Sequence, residues 1–243
     1  MKKTKSLYHG TSSLPSSSAA RFAGISGSTL SLRDVEELLL ERGVVVTYET
    51  VRCWRDKFGA GFAQCATSVR RKPGSTWHLD EMFVTLRGEP YLLWRAVDEH
   101  GAELDVLVQK RRDKAAAKRF FRRVLRSNPV PRKIVTDQLR SYAAAKADIP
   151  ELAHVKHVFV KAAARVNNRA ENSHQPTRRR ERQMCGFRDV RRTQTFLSCF
   201  GPIRQHFSLP RHQMNAACHR AILKERLATW HDWTVSTATH RVI

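Results

Sequence analysis

Residues 75–137 alternate between apolar runs and short turn signals in an order that few folds can accept. "TWHLDEMFVTL" is a strand run, "RGEP" a polar turn, and "YLLWRAVDE" a second strand run. His100-Gly101 marks another turn before "ELDVLVQ", the third run. Turns this short make the three strands pair antiparallel as a meander. Asp113 then caps a helix with Ala116, Phe120 and Val124 on one stripe and Ala117, Phe121 and Leu125 beside it. Asn128-Pro129 ends that helix, and "KIVTD" follows as a short buried strand that returns parallel to the first. The order predicts an α/β domain on a mixed sheet.

Such a sheet sets the end of "KIVTD" beside the middle of the first strand. Asp80 lies in that first strand and Asp137 at the end of the fourth, so both side chains can project to one edge. Glu81 alternates to the other face. A third acid, Glu171, stands upstream of the arginine run in "VNNRAENSHQPTRRRER", where Arg169, Arg178, Arg179, Arg180 and Arg182, with Arg165 just ahead of the stretch, would ordinarily make an anion-binding surface. A helix starting at Asn167 or Asn168 could bring Glu171 to the same edge, with Pro176 kinking or interrupting it. Three carboxylates together repel one another unless a cation neutralises them. All-oxygen ligands favour Mg²⁺ or Mn²⁺ over zinc. Glu171 then reads as a metal ligand, and Arg169, Arg178, Arg179 and Arg182 as holders of a nucleic-acid backbone. Phosphoryl transfer needs that combination. Simpler roles stay open: Asp137 as a strand-end carboxylate, and Glu171 as an ion-pair partner of Arg178 or Arg169. Asp80 is harder to set aside, because an acid inside an apolar strand needs a partner.

Ahead of this domain, residues 1–30 are Ser/Gly-rich and read as a disordered leader. Ser31 can cap a helix carrying Val35, Leu38 and Leu39, closed by Gly43. Thr47 can cap a second one with Val51, Trp54 and Phe58 at helical spacing. The pair is consistent with part of a helix-turn-helix, with Tyr48, Glu49, Arg52 and Arg55 pointing toward a groove, or with a plain helical hairpin. The leader offers nothing apolar to cover this pair, so its core is expected to be open, as in a truncated recognition domain. After "KIVTD" come a short strand near Val155–Val160, the arginine-rich helix, and a helix from Val190 that Gly201-Pro202 should bend. The expected organisation is therefore 1–30 leader, 31–70 DNA-binding segment and linker, 71–208 catalytic domain and 209–243 helical tail.

Charge decides the class of partner. Lys and Arg number 44 against 22 Asp and Glu, a formal +22, and such a field concentrates nucleic acid. No apolar run of transmembrane length, amphipathic anchor or secretory signal is expected, which argues for the cytoplasm and its nucleoid rather than a membrane. Five scattered cysteines without a CxxC pair suit reduced thiols. His154 and His157 have no matching Cys/His pair nearby and read as surface histidines.

"WHLDEMFVTLRGEPYLLWRAVDEHG", "RRDKAAAKRFFRRVL", "PRKIVTDQLRSY" and "NNRAENSHQPTRRRERQMCGF" together resemble bacterial insertion-sequence DDE transposases of the IS-six family. "SLRDVEELLLERGVVVTYETVRCW" resembles the helix-turn-helix ahead of that family's catalytic domain. The likeness runs in order over roughly residues 31–235. It implies an RNase H-like catalytic fold with Asp80, Asp137 and Glu171 as the acid triad, two Mg²⁺ or Mn²⁺ ions, recognition of terminal inverted repeats, and joining of transposon ends to target DNA. A synapse of two ends implies a homodimer or higher assembly. Three departures stand out: the Ser/Gly leader replaces an amphipathic helix, Gln138 replaces a common lysine, and Gly201-Pro202 interrupts a helix that is usually continuous. A DNA-binding protein that does not cut, whether a regulator or a degenerate transposase, is the alternative, and a structured-RNA nuclease on the same fold is a further one.

Overall fold

The computed structural model describes residues 30–137, 139–160, 168–209 and 211–239. Gln138, Arg165 and the Ser/Gly leader fall outside the described residues, except Leu30 at the leader's end. The chain forms two compact units. One comprises residues Arg71–Ser198, and the other joins the segment ending at Arg70 to the segment beginning at Cys199.

The 71–198 unit is built on five strands: β1 (Thr76–Leu86), β2 (Glu89–Asp98), β3 (Glu103–Gln109), β4 (Lys133–Thr136) and β5 (Lys156–Phe159), in the order β3-β2-β1-β4-β5. β1 and β2 pair antiparallel from Trp77↔Asp98 to Leu86↔Glu89. They are joined by Arg87-Gly88, both at positive φ (51° and 85°). A two-residue turn of that hand matches the twist of the flanking strands, which is why a glycine stands there. β3 continues the meander antiparallel, whereas β4 pairs parallel with β1 and β5 parallel with β4. The expected mixed sheet forms, and its order is the RNase H-like one.

Helices fix which face of each strand is dry. Asp113 accepts from the Ala116 amide and starts α3 (Lys114–Ser127); α4 (Arg140–Ala147) follows β4. Phe120, Phe121 and Val124 of α3 and Tyr142 and Ala145 of α4 are buried with Trp77, Leu79, Trp94 and Ala96 of the sheet. The opposite sheet face carries His78, Asp80 and Arg95, and against it lies α5 (Asn168–Gln183). Pro176 does not interrupt α5, and Gly201-Pro202 does not interrupt α6 (Val190–Phe207). His157 is not the surface residue expected. It is half-buried on β5, its Nε2 is 2.9 Å from Thr136 Oγ1, and burial holds its pKa down at about 4.

The other unit opens with α1 (Leu32–Leu40), whose N-cap Ser31 and Asp34 form a reciprocal capping box. Thr47 caps α2 (Tyr48–Ser68), which runs on through residues expected to be linker. The expectation of an open core is corrected here. Val35, Leu39, Val51, Trp54 and Phe62 are buried with Ile203 of α6 and Trp230 of α7 (Ala216–Thr239), and Phe207 and Trp233 pack against them. The cover comes from the far end of the chain, where α7 packs into this core. Trp230 is fully buried and stacks on Phe62 with ring centroids 4.4 Å apart. Trp230→Ala is therefore expected to destabilise this unit by about 3–5 kcal/mol. Urea denaturation of the full chain, followed by proteolysis within residues 31–68, would show it. An unchanged midpoint would mean that α7 does not hold the core together.

Candidate active site

The parallel ladder between β1 and β4 ends at His78↔Val135. The same register continued by two residues sets Asp80 beside Asp137, at the point where β4 stops and its carboxylate is released from the ladder. Asp137 is partly exposed. Its Oδ1 accepts from the Leu139 amide at 3.1 Å, and its Oδ2 lies 3.5 Å from the Arg112 guanidinium. That same guanidinium donates to Glu81, whose other oxygen accepts from the Tyr142 hydroxyl at 2.7 Å. Burial raises the Glu81 pKa, opposed by the Tyr142 and Arg112 hydrogen bonds, while Asp137 pushes in the same direction as burial. Tyr142 is held well above its ordinary value, first by burial and then by Glu81, Asp80 and Asp137. Three carboxylates thus act on one phenol, which places them in one electrostatic neighbourhood. Arg112 contacts two of them, Glu81 and Asp137.

Asp80 faces the other way, toward α5. Its Oδ2 lies 3.4 Å from His174 Nε2. Burial lowers the His174 pKa against the pull of Asp80, which favours the neutral ring. Arg95, the β-ladder partner of Asp80, holds the same helix. Its side chain is 4 % exposed, its Nε is 3.2 Å from Glu103 Oε2, and its two terminal nitrogens donate to the Ser173 carbonyl and the Thr177 hydroxyl. Pro176 has no amide hydrogen for the Asn172 carbonyl, and the buried guanidinium binds the carbonyl of the next residue, Ser173. Further along, Glu181 accepts from the Thr85 amide, and beyond Cys185 and Gly186 at positive φ, Phe187 exchanges two backbone hydrogen bonds with the end of β1. α5 is therefore fastened to β1 and β2 at its middle and at its end. Position 171 stands three residues before His174, on the helix face that carries the Asp80 contact.

The register sets Asp80 level with Asp137 on neighbouring strands, and both act on Tyr142, with position 171 on the adjoining helix; the side chains of Glu171 and Arg169 lie outside the described residues. Arg178, Arg179 and Arg182 are exposed on α5, whereas Arg180 is buried. Arg52 and Arg55 belong to the other unit. Each has a carboxylate partner, Glu49 at 2.6 Å and Asp56 at 2.7 Å, and the Arg55 side chain is 15 % exposed rather than pointing outward. Sequence reasoning missed Arg112, Tyr142, His174 and Arg95. Arg95 alone left a signal, an arginine inside an otherwise apolar strand, which has to find partners once buried. Among the described residues no three His, Cys, Asp or Glu side chains form a metal cage. The two described carboxylates nevertheless offer only oxygen, at a partly exposed sheet edge, which suits a hard divalent cation and not zinc.

Residues 74–209 match the family model of the DDE domain of IS240-type transposases. The transposase for insertion sequence-like element IS431mec of Staphylococcus aureus (strain N315) is 29% identical over 171 residues, spanning 70% of this chain and 76% of the relative. The transposase for insertion sequence element IS257 in transposon Tn4003 of Staphylococcus aureus is 28% identical over 170 residues, with the same coverage. Among solved structures, the HTLV-2 integrase catalytic core domain in complex with magnesium aligns at a TM-score of 0.39 and 14% identity, over 65% of this chain and 86% of that one. More than half of the chain matches the DDE model in order, with Asp80, Asp137 and Glu171 inside the matched span. The chain belongs to the DDE domain family, as an insertion-sequence DDE transposase of the IS-six family.

Proposed function

We propose that this transposase binds the terminal inverted repeats of its insertion sequence, cuts at the ends and joins the freed 3′-ends to target DNA, using Asp80, Asp137 and Glu171 as ligands of one or two Mg²⁺ or Mn²⁺ ions. The observation that carries the reading is the strand register that sets Asp80 level with Asp137, with position 171 one helical turn from the residue touching Asp80. When bound, the ions supply Lewis acidity that activates a water or a 3′-hydroxyl and neutralises the leaving oxygen. The protein's own part is placement. Asp137 stays fixed by the Leu139 amide, and Asp80 is oriented by His174. Arg112, partly exposed beside Asp137, would be in reach of a phosphate bound at that carboxylate. Arg178, Arg179 and Arg182, with Arg169, hold the flanking backbone. No covalent protein–DNA intermediate is needed.

The α1–α2 segment acts in this reading as a helix-turn-helix, with Arg52 and Arg55 leaving their exposed carboxylate partners for the groove. Two ends held at once require a homodimer or larger assembly, working at the nucleoid in the cytoplasm. The test is a strand-transfer assay on labelled duplexes ending in the inverted repeat. Products joined to target DNA are expected with Mg²⁺ or Mn²⁺ and none after chelation. Tight end binding with no joining under any divalent ion would overturn the catalytic reading in favour of a protein that binds without cutting.

A further inference from the structure

We infer that the outer face of α3 is a second duplex-DNA surface, formed by Arg119, Arg122 and Arg126 on the sheet face opposite the candidate active site. The inference rests on the transposase reading for its choice of polyanion. Its own basis is the way charge is distributed along a single helix. α3 buries Ala116, Ala117, Phe120, Phe121 and Val124 and contains no acid. Its cations fall into two groups. Lys114 and Lys118 both reach Asp148, at 3.0 and 3.1 Å, and Arg123 reaches Asp105 at 3.0 Å. Arg119, Arg122 and Arg126 are exposed and make no ion pair among the described residues. Their spacing of three and four residues puts them on one line down the helix.

That pattern is not a uniformly solvated charged face. Where α3 meets neighbouring elements, acids are supplied to its cations; along its outermost line none is. Three like charges in a row repel one another, and an external anion relieves the repulsion. The row spans roughly 10 Å along the helix axis, enough to neutralise about three successive phosphates of one strand. No large apolar side chain interrupts the line, so it offers a protein partner no dry core to bury. α5 lies on the other face of the sheet, with Arg178, Arg179 and Arg182 exposed there. A duplex reacting at Asp80 and Asp137 would be held by α5, and the α3 row would take a different stretch of duplex.

The test uses the full chain and a random-sequence duplex lacking the inverted repeat. Binding is measured across a salt series for the wild type, for the triple variant Arg119→Gln, Arg122→Gln, Arg126→Gln, and for the double variant Lys114→Gln, Lys118→Gln. The triple variant should flatten the slope of log K against log salt by about 0.9 for each lost phosphate contact, up to about 2.7, with an unchanged melting temperature. The double variant should move the slope by less than a single contact. A triple-variant slope equal to wild type would overturn the inference, as would an equal loss per residue from the paired lysines. Wild-type joining in the same preparations separates this result from the catalytic reading: if joining fails while the slope changes as expected, the α3 surface stands and the catalytic assignment falls.

Discussion

Asp137→Asn is expected to reduce end cleavage and joining by at least ~10²–10³-fold, while affinity for duplex DNA stays close to wild type. The amide keeps the shape of the side chain and its acceptor oxygen for the Leu139 amide, but it removes the charge. An oxygen-only site loses most of its hold on a hard divalent cation when one carboxylate becomes neutral. DNA affinity is carried elsewhere, by a chain with a formal charge of +22, and removing one negative charge does not weaken that field. Asp80→Asn should behave alike, although its carboxylate also faces His174 at 3.4 Å. Divalent-ion titration by calorimetry, run beside the joining assay, separates the causes. Lost activity with lost ion binding supports the ligand role. Joining retained in Asp137→Asn would remove that residue from the reaction. Retained ion binding with lost joining would make Asp137 a group that acts on the substrate directly.

How much of this was legible beforehand follows from the range of each interaction. The meander, the Asp113 cap and the parallel return of "KIVTD" were readable because period and turn chemistry are local, and five residues of that fourth strand sufficed to place Asp137 beside Asp80. The partners of those acids were not readable. Arg112 precedes α3 in a loop, and only the closed sheet shows that its guanidinium spans Glu81 and Asp137. Glu81 was correctly expected on the face opposite Asp80. However, that face also carries Tyr142 and approaches Asp137, so leaving the Asp80 side did not take Glu81 out of the electrostatic site. The cover of α1 and α2 was missed for a reason of range as well. Val35, Leu39 and Trp54 announced an apolar face, but Trp230 lies far along the chain and no local pattern links the two. The open core expected at the N-terminus came from searching only the neighbouring sequence for what the C-terminal helices supply.

Arg95→Met is expected to destabilise the 71–198 unit by about 3–5 kcal/mol, because it removes the guanidinium that faces the buried Glu103 carboxylate. Both side chains are nearly inaccessible, at 4 % and 7 % exposure, so water cannot take the place of the missing partner. The double variant Arg95→Met, Glu103→Leu should recover most of that stability, since a buried pair replaced by apolar residues of similar volume is often neutral. Joining activity should not recover with it. Arg95 also donates to the Ser173 carbonyl and the Thr177 hydroxyl, and methionine offers neither bond, so the turn of α5 beside position 171 loses its fastening to β2. An end-joining geometry tolerates little displacement; a misplacement of about 1 Å can cost ~10²-fold. Urea denaturation of the three proteins, with hydrogen exchange at the α5 amides and the joining assay, reads each quantity separately. The expected pattern is restored global stability, faster exchange in α5 and joining still reduced by about that factor. If the double variant joins ends at the wild-type rate, then the Arg95 bonds to Ser173 and Thr177 do not set the position of α5, and contacts such as Asp80–His174 and Glu181–Thr85 suffice to hold it.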